Sequence, residues 1–206
     1  MDQTEGRRTM ATAMLNARAQ EVDANEGLGA DDIVGRSLLS ANCFVLNGDI
    51  NSDSIGPAIR WLIYENNKSE RKTLTLYINS VGGYIDDAFA LIDLMRHSQH
   101  TIRTVGLGQV MSSAFMIFVA GTPGHRYIGK NALVLCHQYS DELEGKHHDI
   151  KSYMKAAEAT NNRMINLLKE TSGMSTSVIK RKLFPPSDVW LTPEELLDMN
   201  LADRIL

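Results

Sequence analysis

A serine, a histidine and several aspartates stand at spacings that suit nucleophilic acyl transfer. Ser112 lies in Gly108-Gln109-Val110-Met111-Ser112-Ser113-Ala114, between a strand-end glycine and the first turn of a very apolar helix. The first N–H groups of a helix have no internal partner and sit at the positive end of its dipole. The N–H of Ser113 is therefore suited to hold an oxyanion formed at Ser112. A second donor is offered by the Gly82-Gly83 turn, where the lack of side chains lets the backbone approach a bound carbonyl. The plainer reading makes Ser112 a helix N-cap and Gly82-Gly83 a tight turn.

A serine hydroxyl is a poor nucleophile until a base takes its proton, and histidine is the usual base. His137 ends the apolar run Leu133 to Cys136, 25 residues after Ser112, which leaves room for a helix, a turn and a strand. A strand-end histidine serves structure as readily as catalysis. His97, His100, His125, His147 and His148 fall in polar helix ends or loops and read as solvated. The base needs an acceptor that fixes its tautomer. Asp188, just before Val189-Trp190-Leu191, is one candidate, and Asp141, Asp149 and Asp203 remain open on spacing alone. Cys136 is not a nucleophile for His137, because neighbours on a strand point to opposite faces. His147-His148-Asp149 is consecutive and cannot converge on one ion as helix-spaced ligands do, so no metal or other cofactor is expected.

The elements that must position these groups alternate strand and helix. Leu38 to Leu46 reads as a strand ending at Asn47-Gly48, and Asn51 or Ser52 then caps a helix with Ile55, Ile59, Leu62 and Ile63 on its apolar face. A second strand, Leu74 to Ile78, turns through Gly82-Gly83 into a helix that buries Ala88, Leu91, Ile92 and Met95. A third, Ile102 to Val105, leads to Ala114–Ala120, which is apolar on all sides and belongs inside the domain. The strand Leu133–Cys136 precedes a long helix from Asp149 to Thr171, stopped at Gly173. Thr192-Pro193-Glu194-Glu195 has the cap, the proline and the glutamate of a capping box. The pattern is that of an α/β fold whose sheet is covered by helices.

The chain's 206 residues suit one domain, residues 36–206, preceded by a polar, alanine-rich arm over residues 1–35 that reads as mobile. Its 43% hydrophobic and 22% charged composition speaks against a disordered or fibrous protein. A net charge of -4 lacks the basic footprint that nucleic acid attracts. The longest apolar run, Ala114–Ala120, is far short of the roughly 20 residues of a membrane span. No convincing targeting signal opens the chain, and Cys43 and Cys136 in apolar surroundings read as buried thiols of a reducing compartment. A cytoplasmic location is expected.

Tyr77-Ile78-Asn79-Ser80-Val81-Gly82-Gly83 resembles a signature of the ClpP peptidases, with valine where that family has proline. Gly108 to Gly121 resembles the family's nucleophile segment with Ser112 at the serine. Leu135-Cys136-His137-Gln138 is similar to its histidine motif, and Asp188 to Glu195 to the segment of its triad aspartate. The likeness runs from about Leu39 to Leu206. It implies a ClpP/crotonase-like fold of repeated β-β-α units with a long protruding handle helix, the triad Ser112, His137 and Asp188, and an oxyanion hole from the N–H groups of Gly83 and Ser113. It also implies peptide contacts at Gly82, Tyr84, Ile85, Gln138 and Tyr139, with the peptide adding a strand to the sheet edge. The partners implied are unfolded polypeptides, an AAA+ unfoldase, and further copies forming a heptameric ring that can stack into a tetradecamer. Departures are Ser113-Ala114 where the family has methionine-glycine, the acidic Tyr139 to Glu144 where it has a proline- and glycine-rich stretch, and Pro185-Pro186-Ser187 where charged residues are usual. Two other readings compete with this one. One is a non-catalytic ClpP-like ring subunit, and the other an acyl-CoA hydratase or isomerase of the crotonase superfamily.

Overall fold

The computed structural model describes residues 29–206. By its contacts the chain divides into residues 1–41 and 42–206. Of the first unit the described part is helix α1 (Ala30–Ser40), with Asp31 and Asp32 in its first turn, where carboxylates favour unpaired N–H groups. The strand expected from Leu38 therefore starts only at Cys43, because Leu38 and Leu39 complete this helix. Residues 1–28 of the expected arm lie outside the described residues, and Ala30 onward belongs to α1.

In the second unit the elements run β1 (Cys43–Asn47), α2 (Ser52–Asn66), β2 (Thr73–Ser80), α3 (Ile85–His97), β3 (Thr101–Met111), α4 (Ser113–Val119), β4 (Arg126–Ile128) and β5 (Leu133–Cys136). They continue with α5 (His147–Ser172), α6 (Thr176–Lys182), β6 (Val189–Leu191), α7 (Pro193–Asp198) and β7 (Arg204–Ile205). The sheet order is β1-β2-β3-β4-β7, all parallel, as crossover helices require. This is the mixed α/β architecture expected from the alternation of elements.

The long β3 does two jobs. Its Thr104–Gly106 stretch pairs with β4, and its Gln109–Met111 stretch with β5. The register against β2 shifts between Ile78 and Ser80. Gly108, at φ 58, sits at this irregularity, where a Cβ would come within 2.6 Å of Asn79 Oδ1. Asn79 Oδ1 in turn accepts the N–H of Gln109 at 3.0 Å, so the bulge is fixed by one side chain. β6 then pairs antiparallel with β5, the sheet's one reversal among the described strands.

Helix α4 is buried at every residue, as its all-round apolarity predicts. Helix α2 is capped by Asn51, whose side chain accepts from the N–H groups of Asp53 and Ser54, and it buries Ala58 and Trp61 beside Ile55 and Leu62 while Ile63 is exposed. Helix α5 buries side chains only from Thr160 onward, and Tyr153 and Met154 in its first half are exposed. His100 departs from its solvated reading: it is 5% exposed, its Nε2 lies 2.9 Å from the carbonyl of Glu65, and its Nδ1 accepts the N–H of Lys72.

The largest fully buried polar side chain is Arg126, on β4. Its guanidinium reaches Asp203 at 2.7 and 3.0 Å and also donates to the carbonyl of Thr171 and to Asn200. Burial alone would raise the Asp203 pKa, but the bonds from Arg126 outweigh it and hold the carboxyl below its ordinary 3.8. Breaking such a pair leaves a charge uncompensated, so Arg126→Met should destabilise the fold by about 3–5 kcal/mol, seen as a lower denaturant midpoint at constant slope. Because the folded-state pKa is depressed, this stabilisation is complete above the ordinary carboxylate range and is lost as pH falls through the lowered value. The variant's stability should accordingly depend less on pH over that acidic window.

Candidate active site

The junction of β3 and α4 holds Ser112 at φ 54 and ψ -124, a backbone region that residues with a side chain seldom occupy. Two neighbours keep it there. The N–H of Ser112 donates to the carbonyl of Leu135 on β5 at 2.9 Å, and its own carbonyl accepts from Phe115 and Met116 as α4 begins. The strain aims the side chain away from the helix end. Ser112 Oγ makes no cap hydrogen bond, and it lies 2.8 Å from His137 Nε2. The plain N-cap reading of Ser112 therefore fails on geometry.

His137 follows the last residue of β5 and is half-buried. Its Nδ1 lies 2.6 Å from the carbonyl of Gln138, which can only accept, so Nδ1 carries the proton. Nε2 is then the lone-pair nitrogen and accepts the hydrogen of the Ser112 hydroxyl. Asp188 is exposed and makes no hydrogen bond to His137. The β5–β6 ladder ends on the pair Cys136–Val189, so His137 is the first residue after β5 and Asp188 the last before β6. Of the alternatives left open by spacing, Asp203 is taken by Arg126 and Asp141 accepts the phenol of Tyr139 at 2.7 Å. That bond, with burial next, pushes the Tyr139 pKa up. Cys136 is fully buried, and burial pushes its thiol far above the usual range, away from thiolate chemistry.

Gly82 and Gly83 adopt φ 99 and φ 149. The N–H of Ile50 donates to the carbonyl of Gly82, and the N–H of Tyr84 to the carbonyl of Ile50, both at 2.8 Å. These two bonds occupy one edge of the strand, so the N–H of Gly83 points to the other. The turn also presses on the serine: a Cβ on Gly82 would lie 2.7 Å from Ser112 Cβ and 3.2 Å from the nitrogen of Ser113. Ile50 is the positioning residue that the sequence reading missed, and the only local signal for it was the turn at Asn47-Gly48.

A cleft of about 470 Å³ opens over the serine. Gly83, Tyr84, Ile85, Ser112, His137 and Tyr139 line it together. Its walls also carry Asp86 and Asp87, which the sequence reading did not assign to the site, and Asp141, which it held open as an acceptor for the histidine. Asp86 and Asp87 sit in the first turn of α3, directly after the glycine turn, and Asp86 pairs with Arg163 at 2.6 Å. Gln138 is not in that lining: its side-chain amide turns the other way, to the carbonyls of Phe184 at 2.9 Å and Pro185 at 3.1 Å. The N–H of Tyr139 is taken by Asn161 Oδ1 at 2.8 Å, which fastens the segment after His137 to α5.

Among the described residues no group of His, Cys, Asp and Glu is arranged to hold a metal ion, and no helix is long and apolar enough to cross a membrane. The site thus joins a strained serine, a histidine in hydrogen-bonding reach and a glycine turn in one cleft. The sequence pattern described as Clp protease matches residues 25–206, nearly the whole chain. On that match this chain belongs to the Clp protease family and is a peptidase of the ClpP type.

Proposed function

We propose that this chain is a serine endopeptidase that cuts unfolded polypeptides through Ser112, His137 and Asp188. The observation that carries the reading is the 2.8 Å approach of His137 Nε2 to a Ser112 hydroxyl that caps nothing. Ser112 Oγ attacks the peptide carbonyl carbon as its proton passes to His137 Nε2. The carbonyl oxygen becomes an oxyanion that takes hydrogen bonds from the N–H groups of Gly83 and Ser113. Collapse breaks the C–N bond, and the proton on Nε2 goes to the departing amine. Water, deprotonated by the same nitrogen, then hydrolyses the acyl ester and restores Ser112. Asp188 steadies the imidazolium from the opposite strand once the Nδ1 proton turns to it from the Gln138 carbonyl.

The substrate lies extended beside Gly82, Gly83, Tyr84 and Ile85 on one side and Tyr139 on the other, and Gln138, whose amide is turned to Phe184 and Pro185, is left out of that set. Residues 36–206 form the peptidase domain behind an arm of residues 1–35. Seven copies form a ring in the cytoplasm, stacked rings enclose a chamber, and a Clp-type AAA+ unfoldase feeds it. The exposed first half of α5 serves as the handle between rings.

A fluorophosphonate phosphonylates only a serine activated in this way. Peptide mapping should place the label on Ser112 of the wild-type particle and find none on His137→Ala. An unlabelled Ser112 in an assembled particle, beside a serine peptidase labelled in the same tube, would favour the non-catalytic ring subunit.

A further inference from the structure

Resting on that peptidase reading, we infer that Gln138 is a positioning residue that sets Asp188 opposite His137. Asp188 lies in the short connection between α6 and β6, three residues beyond Pro185. Nothing else described ties Asp188 itself: its carboxylate makes no hydrogen bond and it is exposed. Its place depends on how the connection is held at its two ends. On one side β6 pairs with β5 through Val189 and Cys136. On the other side the amide of Gln138 donates to two successive carbonyls, Phe184 at 2.9 Å and Pro185 at 3.1 Å. Both clamps originate within one residue of the base, at Cys136 and at Gln138.

The arrangement answers a specific need. Pro185 and Pro186 have no backbone N–H to donate, so this connection cannot add ladder bonds to β5 there. A side-chain donor has to replace them, and an amide NH2 offers two hydrogens to two acceptors. Gln138 also directly follows His137, so a shift of the clamped segment is felt relative to the imidazole within one residue. Its carbonyl meanwhile accepts from His137 Nδ1, which holds the base in its working tautomer while the carboxylate is disengaged. The side chain does not line the cleft, which separates this role from substrate contact.

The test uses the full-length assembled protein and a fluorogenic peptide. Gln138→Met keeps the length and removes both donors. It should lower kcat about tenfold with KM within twofold, because only the orientation of the triad changes. The acid limb of the pH–rate profile should move to lower pH, since a carboxylate held less closely supports the imidazolium less. In an Asp188→Asn background the same substitution should add almost nothing, because both act through one contact. Gln138→Ala serves as a second variant, and native mass measurement checks that each assembles. Unchanged kcat overturns the inference, as does a raised KM at constant kcat, or a loss that multiplies fully with Asp188→Asn. A wild-type particle that neither hydrolyses the peptide nor labels at Ser112 fails the peptidase reading itself, and this inference with it; an active, labelled wild type matched by Gln138→Met fails this inference alone.

Discussion

Replacing Ser112 by alanine is expected to lower kcat for peptide hydrolysis by about 10⁶-fold, with the particle still assembled and its peptide affinity retained. The size follows from chemistry: without Oγ no acyl-enzyme forms, and what remains is water attacking a carbonyl polarised by backbone donors. His137→Ala should cost nearly as much. The two share one proton transfer across the 2.8 Å contact, so the double variant should be hardly worse than either single one. Stability should move the other way. Ser112 is held at φ 54, where a side chain is strained by about 1–3 kcal/mol, and Ser112→Gly should relieve part of that. A Ser112→Gly variant with a higher melting temperature and no activity would separate strain kept for function from strain kept for folding. Peptidase activity surviving Ser112→Ala within tenfold would remove the serine mechanism.

Much of this site could be read from residue order because each component is a local event. The burial of α4 is written in seven consecutive residues that are apolar or small, and the Thr192 cap in four. Ser112 at a strand-to-helix junction and His137 at a strand end required no knowledge of distant contacts. What escaped depended on register or on which face of an element meets a partner. The Leu38-Leu39 pair fits a strand or a helix end equally well, and it forms the end of α1. His100 looked solvated among polar neighbours, yet it is buried where the end of α2 meets the start of β3.

Asp188 marks the boundary between the two kinds of information. Its claim over Asp141 and Asp203 rested on family resemblance, since spacing does not rank them. The β5–β6 ladder ends one residue short of both His137 and Asp188, and that proximity of the two strand ends is a property of pairing that neither segment displays alone. The acidic wall of the cleft is similar. Asp86, Asp87 and Asp141 are conspicuous in the sequence, but their convergence on one cavity depends on how α3 and the segment after His137 fold toward each other.

The second large effect is expected from Gly83→Ala. A Cβ at Gly83 would lie 2.2 Å from the carbonyl oxygen of Ile50, against backbone that two 2.8 Å hydrogen bonds hold in place. At φ 149 the residue also occupies a conformation that alanine adopts only under strain. The Ile50 bridge must open, and with it the direction of the Gly83 N–H changes. Loss of one oxyanion donor is worth about 10²–10³-fold in kcat, and a displaced turn should reach the upper end of that range. KM should change far less, since the donor meets the oxyanion of the transition state more closely than the ground-state carbonyl. The chemistry after acylation uses the same hole, so a pre-steady-state burst should slow in both its phases. Fluorophosphonate labelling of Ser112 should slow in parallel, because the phosphonyl oxygen needs the same N–H groups, while the Ser112–His137 contact stays intact. Hydrolysis at the wild-type rate in Gly83→Ala would mean that the turn supplies no donor, and would leave Ser113 as the one backbone N–H at the oxyanion.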